Sequence, residues 1–234
     1  YTTLFRSNSF TEPLQNPIFP FNYQSLNSTK GNRHVYDTLS NESFNKLSCY
    51  SKWERVLGKS YTDEEWITFN KNTFKCTRDT DLRWLQYRII HNILPTKSYL
   101  YKLKYVDSPL CSFCKKDLET LEHLFWECDF AKRIWFDLTN WLQSVQITID
   151  LSAEKVLFGF KGVNNNPINV IILLVKQCMF RCASSNYVPH IKFVKQEVIH
   201  YYNITKCVHK SNGTNRCLLS FGHHYICYLD NYRG

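Results

Sequence analysis

Four residues constrain this chain more than any other feature: Cys111, Cys114, His123 and Cys128, spaced Cys-x2-Cys-x8-His-x4-Cys. Two thiolates separated by two residues grip one metal from a tight turn, and a second pair then arrives from a helix or its end. Three sulfurs and one imidazole make a closed tetrahedral set, the donor chemistry of structural zinc. Thiolate-rich ligation disfavours calcium and magnesium. The expected cofactor is therefore one Zn2+, and with no free ligand position it is structural rather than catalytic. The second pair poses a geometric problem. Residues five apart on an ideal α-helix point roughly 140° apart, so His123 and Cys128 cannot both face the metal from a regular helix. The expectation is a helix from about Thr120 to Trp126 that loosens before Cys128, with Asp129 capping the next helix near Phe130.

In a secreted chain the 10 cysteines would instead read as a disulfide framework. Tyr1 to Phe10 shows no basic region followed by an apolar core. Chance in an Asn- and Ser-rich chain accounts for the sequons at Asn27, Asn41, Asn203 and Asn212. A reducing compartment fits better, so the expected location is intracellular, in nucleus and cytoplasm. No stretch reaches the roughly 20 apolar residues that span a bilayer; the longest apolar run is Val170 to Val175, and no membrane partner is expected. The chain begins at Tyr1, which suits a fragment or the product of a degraded gene.

The net charge of +9 and pI of about 9.0 favour a partner with dense negative charge, chiefly RNA or DNA. The segment Cys111 to Leu142 is itself slightly acidic, through Asp117, Glu119, Glu122, Glu127, Asp129 and Asp137. Basic residues cluster outside it: Lys75, Arg78, Arg83, Arg88, Lys97, Lys102 and Lys104 before, and Lys176, Arg181, Lys192, Lys195, Lys206 and Lys210 after. The zinc module is thus expected to act as a brace for flanking helices that meet nucleic acid. The candidate contacts are Arg83, Arg88, Lys97, Lys102 and Lys104. Enzymatic readings find little support. There is no convergent carboxylate group, phosphate-binding glycine loop or serine elbow. Cys207 and His209 are too close in sequence to be oriented as nucleophile and base. No small-molecule substrate is expected.

The pattern along the chain is mainly helical. Asp37 to Leu47 reads as a first short helix. Trp53 to Asn70 contains Thr62 three residues before Glu65, a capping-box spacing that reads as a plain helix start. Leu82, Leu85, Ile89 and Ile93 share one face of a helix from Thr80 to Ile93 that Pro95 ends, with Arg83 and Arg88 off that face. Lys97 to Lys104 is another short helix. Phe130, Ile134, Leu138, Trp141 and Leu142 form an apolar stripe expected in the core. Asn169 to Cys182 reads as a buried helix, although Val170 to Val175 alone is equally compatible with a strand. Ile191, Val194, Val198 and Tyr201 again show a helical period. From Ser211 the pattern dissolves.

The run Asp81 to Thr96, DLRWLQYRIIHNILPT, resembles the segment before the zinc knuckle of LINE-type (non-LTR) retrotransposon reverse transcriptases. The knuckle itself is similar at Pro109-Leu110-Cys111-Ser112-Phe113-Cys114, followed by Glu119-Thr120, His123-Leu124-Phe125, Trp126-Glu127-Cys128 and Trp135. Lys52-Trp53-Glu54, Glu65-Trp66, Leu157-Phe158-Gly159 and Ile168-Asn169 to Lys176 extend the likeness over about residues 30 to 205. The resemblance implies the zinc-binding domain C-terminal to the polymerase thumb, with the same four ligands. It also implies help in engaging template RNA or target DNA during target-primed reverse transcription. The family's paired catalytic aspartates and N-terminal endonuclease have no counterpart here. A non-enzymatic chain is therefore expected, from a parent RNA-directed DNA polymerase. The implied organisation is an irregular lead-in (1–31), a helical region after the thumb (32–105), the zinc-binding module (106–145), a helical C-terminal region (146–210) and a tail of unassigned structure (211–234). The alternative function is a host-recruited or degraded remnant acting as a protein-interaction scaffold, still folded by zinc.

Overall fold

Helix boundaries in this chain are set by specific side chains and by a few residues of positive φ. The computed structural model describes residues 47–162 and 166–211, with side chains described through residue 207. The expected lead-in, tail and almost all of the helix Asp37 to Leu47 lie outside the described residues, as does the side chain of His209. Helix α1 (Ser48–Leu57) ends at Gly58, whose φ is 62°. There Lys59 N donates to Glu54 O, the six-to-one closure of a Schellman turn. Helix α2 (Asp63–Cys76) begins with the capping box that the sequence predicts: Glu65 N donates to Thr62 Oγ1, and Thr62 N donates to the Glu65 carboxylate.

Helix α3 (Thr80–Ile90) is capped by Asp79, which accepts from Asp81 N and Leu82 N. It stops well before Pro95. Asn92 adopts a φ of 53°, Asn92 N donates to Ile89 O, and Ile93 N donates to Arg88 O. Asparagine tolerates the left-handed region better than most residues, so this Schellman closure terminates the helix. In consequence Ile93, expected on the apolar face, is 46% exposed, and Leu94 enters the core beside Leu82, Leu85, Ile89 and Ile90.

The remaining helices are α4 (Lys97–Lys102), α5 (Asp129–Ser144), α6 (Ala153–Phe158), α7 (Asn166–Ser184) and α8 (Ile191–Ser211). A π-helical turn, His123–Glu127, precedes α5. Among the described residues there is no β-strand, only an isolated antiparallel bridge between Leu110 and Leu118. The fold is mainly α. One hydrophobic core runs from Trp53 to Val198 and draws on the segments expected as 32–105, 106–145 and 146–210. Its densest part is an aromatic nest of Trp53, Tyr61, Trp66, Phe69 and Phe158, packed largely edge to face. This is a geometry that aromatic quadrupoles favour.

Helix α7 lies against α2, α3, α8 and the π turn. Twelve of its residues are buried, as expected of a helix that is apolar nearly all round. Val170 to Val175 is thus helix, not strand. By length and composition α7 is apolar enough to cross a membrane, which corrects the expectation that no segment qualifies. However, 67% of that window is buried inside the fold, so its apolar surface is used as the centre of the helical core.

Outside the knuckle, polar side chains enter this core around Gly159 and around Lys176. At the end of α6, Gly159 has a φ of 84°, and a Cβ there would lie 2.8 Å from Asn72 Nδ2 and 2.9 Å from Asn169 Oδ1. These two amides hold the corner: Phe160 N donates to Asn169 Oδ1, and both asparagines donate to Phe160 O. Nearby, Lys176 Nζ donates to Gln86 Oε1 and Leu157 O, and Gln86 Nε2 donates to Leu157 O at 2.8 Å. Lys176 is 1% exposed, so it stands apart from the basic residues expected to face a polyanion.

Candidate metal centre

The knuckle is built by backbone hydrogen bonds around the Leu110–Leu118 bridge. Cys111 N donates to Asp117 O at 2.7 Å, Glu119 N to Pro109 O at 2.9 Å, and Lys115 N to Cys111 O at 3.0 Å. Lys115 takes a φ of 57° to turn the chain, and Phe113 N donates to Cys111 Sγ at 3.4 Å. The turn therefore presents Cys111 and Cys114 on one side while burying Phe113 in the core.

The second pair of ligands arrives through the π turn. Thr120 Oγ1 accepts from His123 N at 3.1 Å. The chain then widens until Cys128 N donates to His123 O at 2.9 Å, an i→i+5 closure that defines the π-helix. The expected loosening before Cys128 is thus a specific structure, in which the wider turn brings residue 128 over residue 123. Trp135 Nε1 donates to Phe125 O at 2.6 Å and pins this turn to α5. Asp129 is not the cap of α5: Cys128 occupies that position, and Asp129 is the first helical residue. The cap position falls to Cys128 because the π closure ends on it. No side-chain hydrogen bond closes the cap, but the N–H groups of Phe130 and Ala131 favour the Cys128 thiolate.

These elements bring the four predicted ligands together. Their donor atoms all lie within 4.8 Å of one another. Cys111 Sγ and Cys128 Sγ are 3.9 Å apart, and Cys114 Sγ and His123 Nε2 are 3.3 Å apart. Tetrahedral zinc with Zn–S of about 2.3 Å and Zn–N of about 2.0 Å places two sulfurs ~3.8 Å apart, and sulfur and nitrogen ~3.5 Å apart. The sulfur separation is far beyond a disulfide bond of about 2.05 Å. Cys111, His123 and Cys128 are buried and Cys114 is partly exposed, so the set is closed toward the core and reachable from one side. Cys111 hydrogen-bonds to Cys128. That bond, with burial, pushes the Cys111 thiol well up, and the same bond lowers Cys128. A bound dication supplies the charge that allows both to be thiolates.

Glu119 is the residue at this centre that the sequence analysis left without a role of its own. It is 3% exposed. Its carboxylate accepts from Ser112 N inside the knuckle at 2.6 Å and from Lys97 N at the start of α4 at 2.8 Å. Thr96, the residue before α4, makes no side-chain cap, so Glu119 serves the helix in its place. The only signal in the sequence is an acid beside a basic-flanked knuckle, which does not distinguish a buried brace from a solvated charge. Groups that orient metal ligands typically contribute 10–100-fold in metal affinity. Glu119→Gln, which puts an amide N–H where an acceptor is needed, is expected to weaken zinc binding by roughly that factor. Competition against a chromophoric chelator measures it, and unchanged affinity would remove Glu119 from the centre.

The five cations expected to meet nucleic acid lie outside the knuckle. Arg83 Nε donates to Thr77 O and Nη2 to Phe74 O, closing the carbonyl end of α2. Arg88 lies over the rings of Trp84 and Phe180. Lys97 Nζ donates to Asn186 Oδ1 at 2.9 Å. Lys102 and Lys104 are exposed, Lys104 at a φ of 62° just beyond α4. Over residues 47–135, from the start of α1 through all four ligands to Trp135 on α5, the chain matches the family described as zinc-binding in reverse transcriptase, and the clustered Cys111, Cys114, His123 and Cys128 fit Zn2+.

Proposed function

We propose that this chain is a non-catalytic, zinc-folded nucleic-acid-binding module from the C-terminal part of a LINE-like reverse transcriptase. It acts within the nucleus and cytoplasm, helping to engage template RNA or target DNA in target-primed reverse transcription. The observation that supports the reading most is the closed ligand set lying inside the stretch that matches the reverse-transcriptase zinc-binding family. A set with four protein donors braces a surface and leaves no position for a substrate. The excess of Lys and Arg over Asp and Glu, 29 to 20, supplies the attraction for phosphate, with Arg83, Arg88, Lys97, Lys102 and Lys104 as the contacts.

Binding carried by such cations releases counterions. The logarithm of the association constant should therefore fall linearly with the logarithm of salt concentration, with a slope of roughly −3 to −5 for four or five phosphate contacts. Fluorescence anisotropy of labelled RNA and DNA across a salt series measures it. Substituting Lys97, Lys102 and Lys104 together by Gln should flatten the slope, whereas neutralising Asp117, Glu127 and Asp129 should not. Affinity indifferent to salt, or equal loss from the two sets of substitutions, would overturn the reading.

A further inference from the structure

The solvent face of α3 carries a row of aromatic rings that the core does not use. Leu82, Leu85, Gln86, Ile89 and Ile90 are buried on one side of this helix. On the other side Trp84 is 56% and Tyr87 42% exposed. These two rings are nearly parallel, with 5.3 Å between centroids and 8° between planes. His91 continues the row 4.2 Å from Tyr87, its plane tilted by 40°; Tyr50 of α1, 6.5 Å beyond His91, stacks on Trp66 and belongs to the core. Positions 84, 87 and 91 fall on one helical stripe, so the row is a consequence of spacing.

Cations line the same face. The Arg88 guanidinium lies 5.7 Å from the Trp84 ring centre, and Arg83 lies 5.0 Å from the ring of Phe74, which is 59% exposed. Lys52 Nζ reaches Asn92 Oδ1 at the far end, beyond His91. The exposed large hydrophobics on α3 are Trp84 and Tyr87, and Ile93 is exposed just beyond His91. The acid on this helix, Asp81, sits in its first turn. An exposed parallel ring pair flanked by guanidinium groups matches the bases and phosphates of an unpaired strand.

We propose that Trp84, Tyr87 and His91 form a stacking platform for the bases of single-stranded nucleic acid, with Arg83, Arg88 and Lys52 beside it for the backbone. This rests on the nucleic-acid reading above and adds the ligand class and the place where it binds. A duplex keeps its bases stacked on each other and presents only edges and backbone, so the platform selects unpaired strands.

The test uses the zinc-loaded full chain and two oligonucleotides of about ten residues, an oligothymidylate and an abasic strand of the same length. Trp84→Ala with Tyr87→Ala should weaken oligothymidylate binding about tenfold per ring removed and leave abasic-strand binding unchanged. Trp84→Phe with Tyr87→Phe should restore most of the loss. Zinc content and thermal midpoint should stay at wild-type values, since both rings face solvent. If the double variant loses zinc, Tyr87→Leu alone carries the same comparison. Unchanged affinity for both strands, or equal loss on both, overturns the platform and leaves the nucleic-acid reading standing. A wild-type chain that binds neither strand overturns the nucleic-acid reading itself.

Discussion

Replacing Cys111 and Cys114 with serine together is expected to abolish zinc binding and to release the knuckle and the π turn from the rest of the fold. The loss is on the order of 10 kcal/mol of local folding free energy, the typical contribution of a structural zinc site. The size follows from the four metal bonds themselves: Phe113, Leu124 and Phe125 hold the segment to the core, but little else holds the ligands to one another. The knuckle has one isolated bridge, Leu110–Leu118, and the strained φ of Lys115 at its tip. The π turn is intrinsically less favourable than α-helix, and its i→i+5 closure is useful only if His123 and Cys128 must face one point. The aromatic nest of α1, α2 and α6, packed on α7, includes none of the four ligands, so most of the helix content should survive. Elemental analysis should find one zinc per wild-type chain and none in the variant. Hydrogen exchange should accelerate at the amides of Cys111, Lys115, Glu119 and Cys128 and change little in α7. Because the thiolate forms bind the metal, affinity should also fall as pH is lowered. A wild-type chain that folds without zinc would sink the central argument.

The ligand set was legible in the sequence because its chemistry is local: four donors in a short stretch of one chain leave few geometries. The five-residue separation likewise excludes a regular helix between His123 and Cys128. It does not show what takes its place, since one extra residue per turn and simple fraying satisfy the same constraint. The π turn is chosen by contacts from elsewhere, among them Trp135 Nε1 on Phe125 O. Helix ends set by capping side chains, as at Thr62, were legible. The end set by Asn92 was not, because an asparagine with positive φ looks like any other polar residue, and Pro95 nearby offers a plausible stop. The aromatic residues of α5 and α3 illustrate a further limit. Trp141 is buried and Trp84 is exposed, and only the packing of neighbouring helices decides which. Lys176 fell among basic flank residues for the same reason. A single cation inside an apolar run reads as one more positive charge until α2, α3 and α6 are placed around it.

Lys176→Met is expected to stabilise the folded chain near neutral pH and to remove part of its pH dependence. Among the described residues no carboxylate lies beside the Lys176 ammonium: its hydrogen-bond partners there are Gln86 Oε1 and Leu157 O. Burial lowers its pKa from 10.5 to about 7, and the thiol of Cys76 offsets only part of that. The folded pKa lies below the unfolded one, so between these values the unfolded chain binds more protons. Stability from this group is fully present above about pH 10.5 and is lost progressively as pH falls toward 7. A difference of this size corresponds to about 5 kcal/mol at most. Methionine fills a similar volume with no charge to desolvate. It leaves Gln86 Oε1 without this donor, at about 1–3 kcal/mol, while Gln86 Nε2 keeps its bond to Leu157 O. The balance favours the variant by about 2 kcal/mol at pH 7 and reverses at alkaline pH, where neutral lysine is a good donor. The clean window is pH 7 to 9, because burial pushes the Cys76 thiol up to about 11 and introduces the opposite trend above 9. Urea denaturation of both chains at saturating zinc measures the effect. Proton uptake by thiols freed from zinc is common to the two, so their difference isolates residue 176. Wild type should gain about 2 kcal/mol more than the variant between pH 7 and 9. Parallel curves would mean that the folded chain keeps Lys176 charged, with an ion or ordered water reaching the cavity between Cys76, Gln86 and Asn169.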